Sequence, residues 1–82
     1  MIRFTAGSSS ATARALYAAC HAGTLPAEVL STEDRARLVR ALWRRGWADV
    51  EIAEHTLMST YTTARIRSAL GYAPHPRTKR AA

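Results

Sequence analysis

Apolar residues recur at spacings of three and four in four stretches of this 82-residue chain, and each stretch is bounded by residues that start or stop helices. The first runs from Ser9 or Ser10, either able to accept hydrogen bonds from free helix-start amides, to about Ala22. Leu16, Tyr17 and Cys20 form its apolar side with several alanines, and Gly23 is placed to end it. The second spans about Thr32 to Arg45. Ser31 and Asp34 make an S-x-x-D start resembling a capping box, Leu38, Val39 and Leu42 line the inner face with Trp43 at its margin, and Gly46 is the stop. Between these two helices, PAEVL at 26–30 fits a one-turn helix and an ordered loop equally.

The third and fourth helices fall within 49–70, joined by a very short turn, with the fourth opening on Ser59. Two helices crossing steeply over so short a joint need a small residue where their backbones meet, and Ala53 fills that place. Ile52 and Met58, with Thr63, Ile66 and Leu70 at helical spacing, form the shared apolar seam. Gly71 ends the fourth helix, and Pro74, Pro76 and the basic Arg77, Lys79 and Arg80 follow. The expected architecture is all-α: a flexible leading segment at 1–9, a small four-helix domain at 10–71, and a flexible basic tail at 72–82. The tail reads either as solvated charge or as an arm that follows phosphate or enters a minor groove.

The helix pair at 49–70 is a helix-turn-helix pattern. IAEHTLMSTYTTARI at 52–66 resembles the core of bacterial helix-turn-helix regulators, over about a quarter of the chain, and the flanking RRGWADVEIAEHT resembles small regulators of actinobacteria and their phages. Two positions depart from that pattern: Leu57 stands where the turn usually has Gly, and Thr56 where an apolar residue usually precedes it. Leu carries a steric cost at positive φ, which leaves the turn's geometry open. The resemblance implies sequence-specific binding of double-stranded DNA, with the fourth helix entering the major groove.

On that reading, Ser59, Thr60, Tyr61, Ala64, Arg65 and Ser68 occupy the exposed face and leading turn of the fourth helix. Arg65 is the candidate reader of guanine and Tyr61 a candidate contact to a thymine methyl. Ser59, Thr60 and Thr62 are expected on phosphates, and Arg67 joins Arg65 as a second cation. Arg37, Arg40 and Arg44 recur at three and four and make one stripe on the second helix, with Arg35 and Arg45 nearby. This stripe is either a solvated face or a phosphate contact. Glu33 is spaced to pair with Arg37. The acids Asp49, Glu51 and Glu54 cluster on the third helix, so the basic fourth helix and tail are expected to face the duplex.

Composition is consistent with a polyanionic partner: twelve basic against six acidic side chains give a formal charge of +6 and a pI of 10.8. Seventeen alanines and eleven arginines against one lysine suggest a GC-rich coding sequence, as in actinobacteria or their phages. Trp47 reads as core packing or as a ring that stacks on a base. The single Cys20 permits no internal disulfide and no cysteine-based zinc site, and His21, His55 and His75 are scattered, with His55 near enough to the turn to reach phosphate.

With no paired-carboxylate site outside the third helix, no activated nucleophile and no glycine-rich phosphate loop, neither catalysis nor a cofactor or metal is expected. No apolar run approaches the roughly 20 residues of a membrane span, and the start lacks a secretory apolar core, so a cytoplasmic, nucleoid-associated protein is expected. One helix-turn-helix covers few base pairs, so a homodimer or repeated sites is expected. The alternative function is a protein-interaction or recruitment module acting on RNA polymerase, a recombinase or a repressor, through the third helix and the Pro26–Leu30 segment.

Overall fold

The computed structural model describes residues 6–77, which form four α-helices and one 3₁₀ turn: α1 (Ala6–His21), the 3₁₀ turn (Ala27–Val29), α2 (Thr32–Arg44), α3 (Asp49–Thr56) and α4 (Thr60–Ala69). Helix α2 lies at the centre and packs against the other three, and α3 packs chiefly on α4. The core joins Cys20 of α1, Ala27 and Leu30 of the connection, Leu38, Val39 and Leu42 of α2 and Ile52 of α3. Trp47, Met58, Ile66 and Leu70 close over it. All described residues are helical or irregular, as expected of an all-α chain.

Helix α1 begins at Ala6, so Ser9 and Ser10 lie within it instead of capping it. The physical reason is that Ser costs only a few tenths of a kcal/mol in a helix interior, which the surrounding alanines offset. The PAEVL segment resolves into the 3₁₀ turn, with Ala27 and Leu30 buried and Val29 left 42% exposed. Its carbonyls are held by Arg35, whose guanidinium donates to Leu30 O at 2.9 Å, Ala27 O at 3.3 Å and Glu28 O at 3.5 Å. A side chain that reads from sequence as surface charge thus fastens the connection to α2.

Ser31 caps α2 as its spacing predicts, its Oγ accepting from the Asp34 N–H at 3.1 Å. The Asp34 carboxylate turns to Arg37 at 3.0 Å, so the predicted Glu33–Arg37 pair gives way to an i,i+3 pair. Helix α3 has Ala48 at its cap position, and the Glu51 carboxylate bonds back to the Ala48 N–H at 2.7 Å. That contact accounts for the burial of an acid at the helix's positive end. Thr56 is also buried. Its hydroxyl donates to Ile52 O at 2.7 Å, satisfying the polar atom within its own helix and leaving the methyl group for the core.

All four helices end the same way, with a left-handed residue after the last turn and the following N–H bonded back to a carbonyl five residues earlier. In α1, α2 and α4 the left-handed residue is Gly23, Gly46 or Gly71, and in α3 it is Leu57, at φ 59°. The backbone of the turn therefore takes the shape a glycine would give it, with Met58 N–H on Ala53 O at 3.2 Å. Leu57 is 68% exposed and gains little burial in return for the strain. Leu57→Gly should raise stability by about 0.5–1 kcal/mol, the left-handed strain less glycine's entropy, and Tm by about 2–8 °C. A lower Tm by calorimetry would contradict this account of the turn.

Burial also sets an alkaline limit. Burial pushes the Cys20 thiol above its ordinary value, and it raises Tyr17 too, outweighing the lowering effect of Arg37, with Asp34 adding to the rise. Both folded values lie above the unfolded ones, near 9.0 for the thiol and 10.0 for the phenol, so the unfolded chain releases these protons first. The stability present below those values is lost as pH climbs through them. The urea midpoint should fall between about pH 8 and about pH 10.5, and Cys20→Ala should remove the earlier part of the fall. A flat midpoint across that range would refute it.

Candidate nucleic-acid interface

Helix α4 starts at a well-made cap. Ser59 sits in extended conformation and its Oγ accepts from the Thr62 N–H at 3.0 Å while donating to Thr62 Oγ1 at 3.0 Å. The two hydroxyls are locked to each other and Thr62 is half-buried, while Thr60 is exposed beside them. Within the same first turn, Tyr61 is 71% exposed, and the guanidinium of Arg65, one turn along, lies 5.9 Å from its ring centroid. Arg65 makes no hydrogen bond or ion pair among the described residues, so its five donors face outward beside the phenol. Ser68 continues this face and Ala64 lies half-buried along it.

Arg67 does not share that face. Its Nε donates to the two Asp49 carboxylate oxygens at 2.8 and 3.1 Å, Nη2 reaches Oδ2 at 2.9 Å, and Nη1 donates to Tyr72 O at 2.7 Å. Only 11% of its side chain is exposed, against 16% for Asp49. The Asp49 hydrogen bonds raise its already high pKa, outweighing the opposing effect of burial. Arg67 is a clamp between α3, α4 and the segment after α4, with all three of its guanidinium nitrogens donating there. Two residues along a helix is about 200° of rotation, which carries Arg67 away from Arg65 and toward the buried Thr63.

The arginine stripe on α2 divides. Arg37 pairs with Asp34 and lies 5.0 Å over the Tyr17 ring, on the α1 side. Arg40 and Arg44 are exposed and make no ion pair among the described residues. Arg40 stands one turn after Ala36, which lies alongside α4. Arg40 thus lies between the Ala36 side of α2 and the Arg37 side, which is held toward α1.

The segment after α4 is tied down where the sequence reads as mobile. Trp43 stacks with Tyr72 at 4.2 Å and with His75 at 4.5 Å, its Nε1 donates to Ala73 O at 2.7 Å, and the His75 ring nitrogen lies 2.9 Å from Trp43 O. Aromatic stacking outcompetes chain entropy at 72–75, and it leaves Trp43 engaged within the fold. Arg77 emerges exposed beyond this strap, while Lys79 and Arg80 lie outside the described residues, as do residues 1–5.

His55, read as within reach of phosphate, is turned inward instead. Its Nε2 lies 2.8 Å from His21 O and its ring meets Trp47 edge-on at 5.0 Å, which also places Trp47 in packing. Among the described residues no group of three His, Cys, Asp or Glu side chains is arranged to hold a metal, and no helix is long and apolar enough to cross a membrane.

The residues that share the exposed side of α4 are thus Thr60, Tyr61, Arg65 and Ser68. Comparison with protein-family models, with curated proteins and with solved structures returns no match to this chain.

Proposed function

We propose that the chain binds double-stranded DNA with sequence preference, as a transcription regulator that inserts α4 into the major groove. One observation carries the reading. A helix held from behind by the Asp49–Arg67 clamp and capped by Ser59 presents an unengaged arginine and tyrosine, on a chain of formal charge +6. Arg65 offers a planar fork that matches the two acceptors of guanine, and Tyr61 beside it supplies a flat apolar edge for a thymine methyl. Thr60 and the first amides of α4 serve phosphate, with Arg40, Arg44 and Arg77 as flanking cations, while the Ser59 and Thr62 hydroxyls are engaged with each other. Arg67 and Arg37 are left out of this set because their charges are already paired.

Selection of bound sequences from a random duplex library, followed by anisotropy titration of the selected site, tests the proposal. Arg65→Ala should cost roughly 1–3 kcal/mol and relax preference at one base pair. The logarithm of affinity should fall against log salt with a slope of about −4 to −5, for some 4–6 neutralised phosphates. Library selection that enriches no sequence, or an Arg65→Ala protein with unchanged affinity and preference, would reject the docking.

A further inference from the structure

The strained turn residue and the space between α2 and α4 belong to one surface. Thr32, Arg35 and Ala36 of α2 face Thr62, Arg65, Ile66, Ala69 and Leu70 across a groove of about 430 Å³. Arg35 and Thr62 also border a second hollow of about 230 Å³ that reaches Leu57 and Met58, so the two hollows adjoin at these residues. The floor is apolar between α2 and α4, from Ala36 and Ile66 to Ala69 and Leu70, and becomes more polar toward Leu57 and Met58, where Glu28, Ser59 and Thr62 join the lining. The walls are cationic. Arg35 and Arg65 line it, Arg40 stands one turn beyond Ala36, and Glu28 at the Leu57 end is the one acid on its lining.

Two independent observations point to a covering partner. An apolar floor flanked by arginines is poorly matched to a bare phosphate chain, but it matches a helix with an apolar stripe and acidic flanks. Leu57, in addition, keeps a 68% exposed side chain in a left-handed conformation where glycine would be easier, and nothing within the fold compensates for it. A side chain that would be buried by a partner explains both its exposure and its strain.

We propose that this groove receives one amphipathic helix of a protein partner, with leucine-like residues against Leu57, Ile66 and Leu70 and with carboxylates toward Arg40 and Arg65. Because Arg65 is also the proposed base reader, an occupied groove excludes DNA, which makes the partner an antagonist of DNA binding. This second half rests on the function proposed above, and the first half does not.

The test uses the full chain and a labelled synthetic 18-residue helix with leucines at i, i+4, i+7 and i+11 and glutamates on both flanks, against a scrambled peptide of the same composition. The patterned peptide should bind at least about tenfold tighter than the scrambled one. Leu57→Gly should weaken it by about tenfold while raising Tm, a combination that loss of folding cannot produce. Ala69→Gln, a neutral change on the groove lining, should also weaken it.

Equal binding of the two peptides, binding of neither, or full affinity in Leu57→Gly would overturn the groove as a docking site. Duplex that stays bound at saturating patterned peptide would overturn the antagonism. If the chain binds no duplex at low salt but discriminates the peptides, the DNA reading fails and the groove stands.

Discussion

Gly23→Ala should destabilise the domain by about 3 kcal/mol, lowering Tm by about 12–24 °C for a chain of this size. Two separate terms combine. Gly23 has φ 85°, where an L residue is strained by about 1 kcal/mol. A Cβ there would also stand 2.8 Å from His55 Cε1 and 3.2 Å from each ring nitrogen, closer than packed atoms tolerate. The imidazole must retreat, and with it go the contact to His21 O and the edge-on packing against Trp47. Losing a partly buried hydrogen bond and disturbing the packing around it accounts for a further 2 kcal/mol or so.

Gly46 provides the control. It has a similar φ of 88° but nothing within 4 Å of its would-be Cβ, so Gly46→Ala should show the strain term alone. The Gly23→Ala/His55→Ala double variant should be less destabilised than the two single costs added together, because the clash is then absent. Equal losses in Gly23→Ala and Gly46→Ala, measured by urea unfolding, would show that His55 is not what fixes the first glycine.

The contrast between these glycines shows where sequence reasoning stops. Helix ends are local events, so Gly23, Gly46 and Gly71 mark them legibly, as Ser31 and Ser59 mark two of the starts. The period of Leu38, Val39 and Leu42 likewise locates the inner face of α2. What spacing does not reveal is which distant partner a polar side chain will find. Arg35 reaches back to three carbonyls, His55 to a carbonyl 34 residues away, and Trp43 to a strap 30 residues later. Arg67 is a different case. Its angular position, one turn after Thr63, is legible in the sequence and separates it from Arg65, its neighbour along the chain. Serines at 9 and 10 misplace the start of α1 because a good capping residue is also a tolerable interior one.

Asp49→Ala should cost about 2–4 kcal/mol, more than Arg67→Met, even though the two changes break the same ion pair. Removing the carboxylate leaves a guanidinium that is 11% exposed with only Tyr72 O to receive its donors, and an uncompensated charge in that setting is heavily penalised. Removing the guanidinium leaves Asp49 at the first position of α3, where the helix dipole and free amides favour a negative charge. The Asp49→Ala/Arg67→Met double variant should therefore recover part of the loss, with a coupling of about 1–3 kcal/mol in a double-mutant cycle.

The clamp ties α4 to the start of α3, so its loss should be felt by the exposed face. If α4 docks on DNA as proposed, Arg67→Met should lower duplex affinity while leaving the salt slope unchanged, because the clamp would hold α4 without contacting phosphate. A slope reduced by about one would instead return Arg67 to the duplex surface. Additive stabilities in the cycle would mean that the Asp49–Arg67 pair adds nothing to the hold on α4, which would then rest on the apolar seam.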